Sequence, residues 1–160
     1  MNLSKALLVS QLFVLTSSIS LRGVNMNERE LRTRIIGGKE ATEGRYSYAV
    51  SLQDDVGHFC GGSLIAPDVV LSAAHCAGQG DYKAIIGRHH LKKSEGDEMD
   101  VKVEMTHPDY DSDKTDNDFM LLFLDSSYTG YVNLVQVSPD TVSEGTNATV
   151  MGWGDTHKDE

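Results

Sequence analysis

The sequence predicts an all-β protein, an antiparallel barrel or sandwich. Three observations carry this expectation. From Tyr46 onward, short apolar or alternating runs recur about every ten residues. Turn-prone stretches separate the runs, and no long apolar period of 3.6 residues interrupts the series. Strands joined by loops, without intervening helices, bury their apolar faces by closing on themselves or by packing as two sheets.

The first strand, Tyr48-Ala49-Val50-Ser51-Leu52, ends at the turn Asp54-Asp55-Val56-Gly57. The second, Phe59 to Ile65, stops at Ala66-Pro67-Asp68. The third, Val69 to Ala74, is β-branched and leucine-rich and runs through two alanines into His75-Cys76. Gly78-Gln79-Gly80-Asp81 then leads to the fourth, Tyr82 to Ile86, and Ser94-Glu95-Gly96-Asp97 precedes the fifth, Val101 to Met105. The polar block Asp109 to Asn117 introduces the sixth, the apolar run Phe119 to Leu124. A seventh strand is expected at Ala148-Thr149-Val150-Met151, before Gly152-Trp153-Gly154. Tyr131 to Gly145 looks like a connector, which assigns that strand to another unit. No internal repeat is detectable.

The chain has 160 residues, 14 Lys+Arg against 24 Asp+Glu, and a formal charge of -10, which argues against nucleic acid as a partner. With 39% hydrophobic residues, Gly 15 and Pro 3, it is neither low-complexity nor a disordered acidic tail, and a packed core is expected. No apolar run approaches the ~18 residues of a membrane span. Residues 1–20, with Lys5 before the apolar stretch Ala6 to Leu15 and small residues around Ser18, have the layout of a secretory signal peptide. Residues 21–34 are polar, end in Arg32-Thr33-Arg34 and read as an exposed, cleavable pro-segment. Removing both segments takes away Lys5, Arg22, Arg29, Arg32, Arg34, Glu28 and Glu30, leaving 9 basic against 22 acidic residues, a charge of -13. The protein is expected to be extracellular, with no membrane contact once the signal is removed. Two cysteines, Cys60 and Cys76, can make one disulfide, and secretion permits it.

Two residues stand out as candidates for chemistry. His75 sits at a strand end beside Cys76, so a bond from Cys76 to Cys60 would immobilise the loop carrying the imidazole, as a general base requires. A histidine beside a structural disulfide is, however, more often a packed residue than a catalyst. Asp118 stands where the polar block meets the sixth strand. A solvated turn aspartate is the bland reading. If turned inward, its carboxylate must be paired, and an imidazole N–H suits it: it would fix the tautomer of His75 and stabilise the imidazolium.

Six segments then occur in order: Arg34-Ile35-Ile36-Gly37-Gly38, Phe59-Cys60-Gly61-Gly62-Ser63-Leu64-Ile65, Leu71-Ser72-Ala73-Ala74-His75-Cys76, His107-Pro108-Asp109-Tyr110, Asn117-Asp118-Phe119-Met120-Leu121-Leu122 and Gly152-Trp153-Gly154. In these the sequence resembles the N-terminal part of the trypsin-like (chymotrypsin-fold) serine proteases, from Arg34 to about Thr156. The resemblance implies an antiparallel six-stranded barrel over residues 35–138, the first of two, and the start of a truncated second barrel over 139–160. It also implies that His75 is the general base, Asp118 its orienting carboxylate, Arg34-Ile35 the zymogen activation bond, and Cys60 and Cys76 partners. Protein or peptide substrates and an activating protease are the implied partners, and no cofactor is implied.

The family's nucleophilic serine, in Gly-Asp-Ser-Gly-Gly, has no counterpart among the 160 residues, nor do its oxyanion-hole glycine and specificity-pocket residues. Ser63, Ser72, Ser126, Ser127 and Ser143 lie outside any nucleophile elbow. The chain is therefore expected to be a fragment, inactive alone, of a secreted serine endopeptidase. The alternative is a non-catalytic secreted homologue acting as a binding or inhibitor module. A binding module has no physical need for His75, Asp118 and an intact activation site together, which favours the enzyme.

Lesser signals complete the reading. The loop Gly87 to Glu98 resembles the calcium loop of many trypsins and keeps Glu95 and Glu98, yet Arg88 stands where an acidic ligand is expected, so no metal is assigned. Adjacent histidines such as His89-His90 would point to opposite faces of a strand, and neither has a partner at ligand spacing, so they are read as solvated loop residues. Asn147-Ala148-Thr149 is a glycosylation sequon at the expected start of the seventh strand.

Overall fold

The structure is a computed structural model that describes residues 38–154. The signal-like residues 1–20, the segment 21–34 and the Arg34-Ile35 bond lie outside the described residues. The described residues contain six strands: β1 (Ala49–Gln53), β2 (His58–Ala66), β3 (Val69–Ser72), β4 (Lys83–Ile86), β5 (Asp97–Thr106) and β6 (Met120–Leu124). Neighbours pair antiparallel in the order β1-β2-β3-β6-β5-β4, and β4 returns to β1 through Val50 opposite Ile86 and Leu52 opposite Ala84. That last ladder makes the sheet a closed barrel, so the protein is all-β with the six-stranded barrel expected of the first trypsin-like unit.

Alternation along the strands fills the barrel. Val50, Leu52, Leu64, Val70, Ile86, Met120 and Leu122 are each at most 1% exposed and belong to one cluster, closed at its margin by Tyr82 and Leu124. On β6 the buried positions Met120, Leu122 and Leu124 alternate with half-buried Leu121 and Phe123. β3 is buried at all four positions, because its outer face is also covered: Leu71 packs with Phe119, Ile65 and Leu121 in a second cluster. β5 carries most of its side chains into solvent, with Met99 and Val101 packed against the core.

Three departures from the sequence expectation exceed a single residue. β3 ends at Ser72 rather than Ala74, and Ala74–Cys76 form a short 3-10 turn, with Cys76 N–H on the Ala73 carbonyl at 3.2 Å. β5 begins at Asp97, because Asp97 to Asp100 pair with Ile86 to Lys83 through the backbone while the side chains of Asp97, Glu98 and Asp100 face water. Residues 148–151 form no strand. A strand needs a neighbour to take its N–H and C=O groups, and each of the six barrel strands already has two.

Candidate active site

The β2–β3 pair sets the position of His75. Gly62 lies so close to β3 that a β-carbon there would stand 2.6 Å from Val70 Cγ1 and 3.1 Å from the Leu71 carbonyl oxygen. Buried Ser72 donates its hydroxyl to the Gly61 carbonyl at 2.8 Å. The following turn is tied back to β2 by the Cys60–Cys76 disulfide, with Cα atoms 6.3 Å apart. Ala74 and Cys76 point into the core, so His75 between them points outward, its side chain 59% exposed.

Asp118 lies just before β6, whose first residue Met120 pairs with Ser72 at the end of β3. The polar block 109–117 is a folded turn: Asp111 and Asp116 exchange backbone hydrogen bonds, and the Asn117 amide donates to the Asp109 carbonyl at 3.0 Å. Asn117 adopts φ 54°, a left-handed conformation that asparagine tolerates, and the Phe119 N–H closes on the Asn117 carbonyl at 2.8 Å. Phe119 is buried against the His107 ring, centroids 4.6 Å apart, while His107 Nδ1 accepts the Asp109 N–H. The reversal leaves Asp118 facing the 3-10 turn with its side chain 17% exposed.

Both carboxylate oxygens of Asp118 are engaged by His75. Oδ1 accepts the His75 backbone N–H at 2.9 Å and Oδ2 meets Nδ1 at 2.7 Å. An ionised carboxylate only accepts, so Nδ1 is the protonated ring nitrogen and Nε2 keeps its lone pair. An oriented imidazole with a free Nε2 at an open rim can take a proton from a group brought to it. Among the described residues, no serine hydroxyl contributes to the hydrogen bonds of His75. Tyr110 packs against the core, and burial, together with the carboxylates of Asp118 and Asp111, pushes its phenol above the usual value.

The Trypsin family model matches residues 35–160. The chain belongs to the trypsin family. It is 39% identical over 131 residues to Trypsin-10 of Gadus morhua, covering 77% of this chain and 52% of that protein. It is 43% identical over 130 residues to Trypsin-3 of Salmo salar, covering 76% and 52%, and 37% identical over 127 residues to Trypsin-4 of Rattus norvegicus, covering 77% and 51%. The chain thus spans about half the length of the curated relatives it matches.

The calcium loop that the trypsin resemblance implies does not fit a calcium ion in this chain. Arg88 donates to the Lys93 carbonyl at 2.9 Å and the Leu91 carbonyl at 3.3 Å, placing a guanidinium on two oxygens of the loop. The Glu95 carboxylate accepts the backbone N–H groups of His90 and His89, which hold it below the usual carboxylate range. Calcium takes six to eight oxygens, and this loop has turned its donors to an internal cation and its own amides.

The two histidines lie in a loop, as expected, but they do have a partner. They lie outside any strand, their ring centroids are 4.6 Å apart, and Glu40 reaches them: His89 Nε2 is 3.0 Å and His90 Nε2 3.9 Å from Glu40 Oε1. No local sequence signal could pair Glu40 with a residue 49 positions away. The Trp153 indole N–H donates to the His89 carbonyl at 2.9 Å, which gives Gly152-Trp153-Gly154 an anchoring contact. Asn147 is exposed in an irregular segment, not at a strand start. Among the described residues, no helix is long and apolar enough to cross a membrane.

Proposed function

We propose that the chain is the first barrel of a secreted trypsin-like serine endopeptidase, made as a zymogen and activated by cleavage at Arg34-Ile35. In this reading His75 is the general base and Asp118 its orienting carboxylate. The observation that carries it is the double engagement of Asp118 with His75, which aims Nε2 at open space and fixes its tautomer. The nucleophilic serine and its oxyanion hole are proposed to come from protein sequence outside these 160 residues, because none of them supplies a Gly-Asp-Ser-Gly-Gly segment. The substrates are then peptide bonds in proteins or peptides. The serine hydroxyl gives its proton to Nε2 as it attacks the carbonyl, and the imidazolium formed is stabilised by Asp118 and later returns the proton to the leaving amine.

The segmentation follows: residues 1–20 a signal, 21–34 the activation segment, 35–138 the barrel and 139–160 the approach to a second one. Asn147 offers an exposed acceptor for N-glycosylation along that route. The test uses the longer protein that contains this chain. Cleavage at Arg34-Ile35 should switch on hydrolysis of peptide substrates, and His75→Ala should abolish it while leaving binding of a peptide inhibitor. Full activity in the His75→Ala protein would overturn the assignment. The 160-residue chain alone should hydrolyse nothing, because a base without nucleophile or oxyanion hole has nothing to activate.

A further inference from the structure

We propose that Glu40, His89 and His90 form a binding site for a divalent transition metal of the zinc class, on the barrel surface away from the His75–Asp118 pair. One donor atom from each residue lies within 4.8 Å of the others. In tetrahedral coordination with bonds of about 2.0–2.1 Å, neighbouring donors stand about 3.3 Å apart. The two Glu40–histidine separations of 3.0 Å and 3.9 Å bracket that value, and the donors of the two rings lie within 4.8 Å of each other. Two imidazoles and one carboxylate suit zinc, nickel or copper better than calcium. The surroundings are built to hold the rings together. The Glu95 carboxylate accepts the backbone N–H groups of both histidines, Arg88 clamps the far side of the loop, and the Trp153 indole holds the His89 carbonyl. Glu40 is 71% and His90 40% exposed, which leaves a fourth position to water and an open entry path. The other Cys/His cluster, at Cys60, His75 and Cys76, has no thiolate to offer because its cysteines are bonded to each other. A bound ion would clamp the segment just beyond the Arg34-Ile35 bond onto the 87–98 loop.

The test is calorimetric titration of zinc chloride into the folded, oxidised 160-residue chain. One equivalent should bind with a dissociation constant on the order of 10 μM or tighter, unaffected by millimolar calcium. Glu40→Gln should weaken binding at least tenfold. Because Glu40 is exposed, that variant should melt at the same temperature as the parent without metal, and zinc should raise the melting temperature of the parent alone. His90→Gln should behave alike, and His75→Gln should bind as the parent does. Absence of binding at 1 mM zinc, or binding that survives Glu40→Gln and His90→Gln, would overturn the site.

Discussion

Asp118 commits both oxygens to one residue, so its replacement by asparagine discriminates between charge and shape. If the amide oxygen keeps the His75 backbone N–H, the amide nitrogen must face Nδ1 and favours the tautomer protonated at Nε2, which cannot accept a proton. Asp118→Asn in the activated longer protein should therefore lower kcat about 10⁴-fold with little change in melting temperature, the magnitude associated with the chymotrypsin-like template. A loss below tenfold would contradict the role given to Asp118. His58 supplies a second, independent residue-scale expectation. Gln53 donates to Ser51 Oγ at 2.9 Å, leaving the Ser51 hydroxyl proton for His58 Nδ1 at 2.8 Å, and Trp153 covers the ring edge-on. Burial lowers the pKa of His58 from its ordinary value. As pH falls, the unfolded chain then takes up the proton first, so this contribution is complete above about pH 6.5 and is lost as the pH falls from there through the lower folded value. The melting temperature should fall between pH 8 and 5.5, and by less in His58→Gln; equal falls would remove His58 as the cause. His75 and Asp118 were legible because both stand at strand ends within ordered motifs. Glu40 was not, because its partners are set by the fold rather than by neighbours in the chain.

At the scale of elements, the adjacent glycines of β2 look alike in sequence and differ in structure. A β-carbon on Gly61 meets nothing within 4 Å, whereas one on Gly62 meets Val70 Cγ1 and the Leu71 carbonyl. Val70 is fully buried and β-branched, so it cannot swing away. Gly62→Ala should destabilise the chain by about 1–3 kcal/mol through overpacking, and Gly61→Ala by less than ~1 kcal/mol. Chemical denaturation of the two variants checks the contrast, and equal midpoints would refute it. The same distinction between pattern and partner explains which strands were readable. β1, β3 and β6 announce themselves through apolar residues that end in the core. The first half of β5 does not, since Asp97 to Asp100 contribute backbone pairing and mostly solvent-facing side chains. Ala148 to Met151 has strand-like composition but no open edge to join, and it stays irregular.

For the molecule as a whole, six short runs left barrel and sandwich equally open, and the trypsin resemblance chose the barrel. Physically the β1–β4 ladder decides, and it depends on a register that no run displays by itself. Closure gives every strand two neighbours, so unfolding is expected to be cooperative. The Cys60–Cys76 bond then acts mainly on the unfolded chain. It closes a loop across a sequence separation of 16, which in the chain-entropy account is worth about 3 kcal/mol. In the folded state the bond spans β2 and the turn that carries His75, two parts already joined through the β2–β3 ladder and the Ser72–Gly61 hydrogen bond. The barrel should therefore survive reduction, but with a melting temperature lower by roughly 10 °C. With only two cysteines in the chain, a reductant has no other bridge to act on. Thermal melts with and without reductant measure the difference, and Cys60→Ala/Cys76→Ala should melt near the reduced parent. A shift under about 3 °C would mean that the unfolded chain already holds these residues together. Complete unfolding at 25 °C would instead mean that ladder and core cannot hold the barrel without the covalent tie.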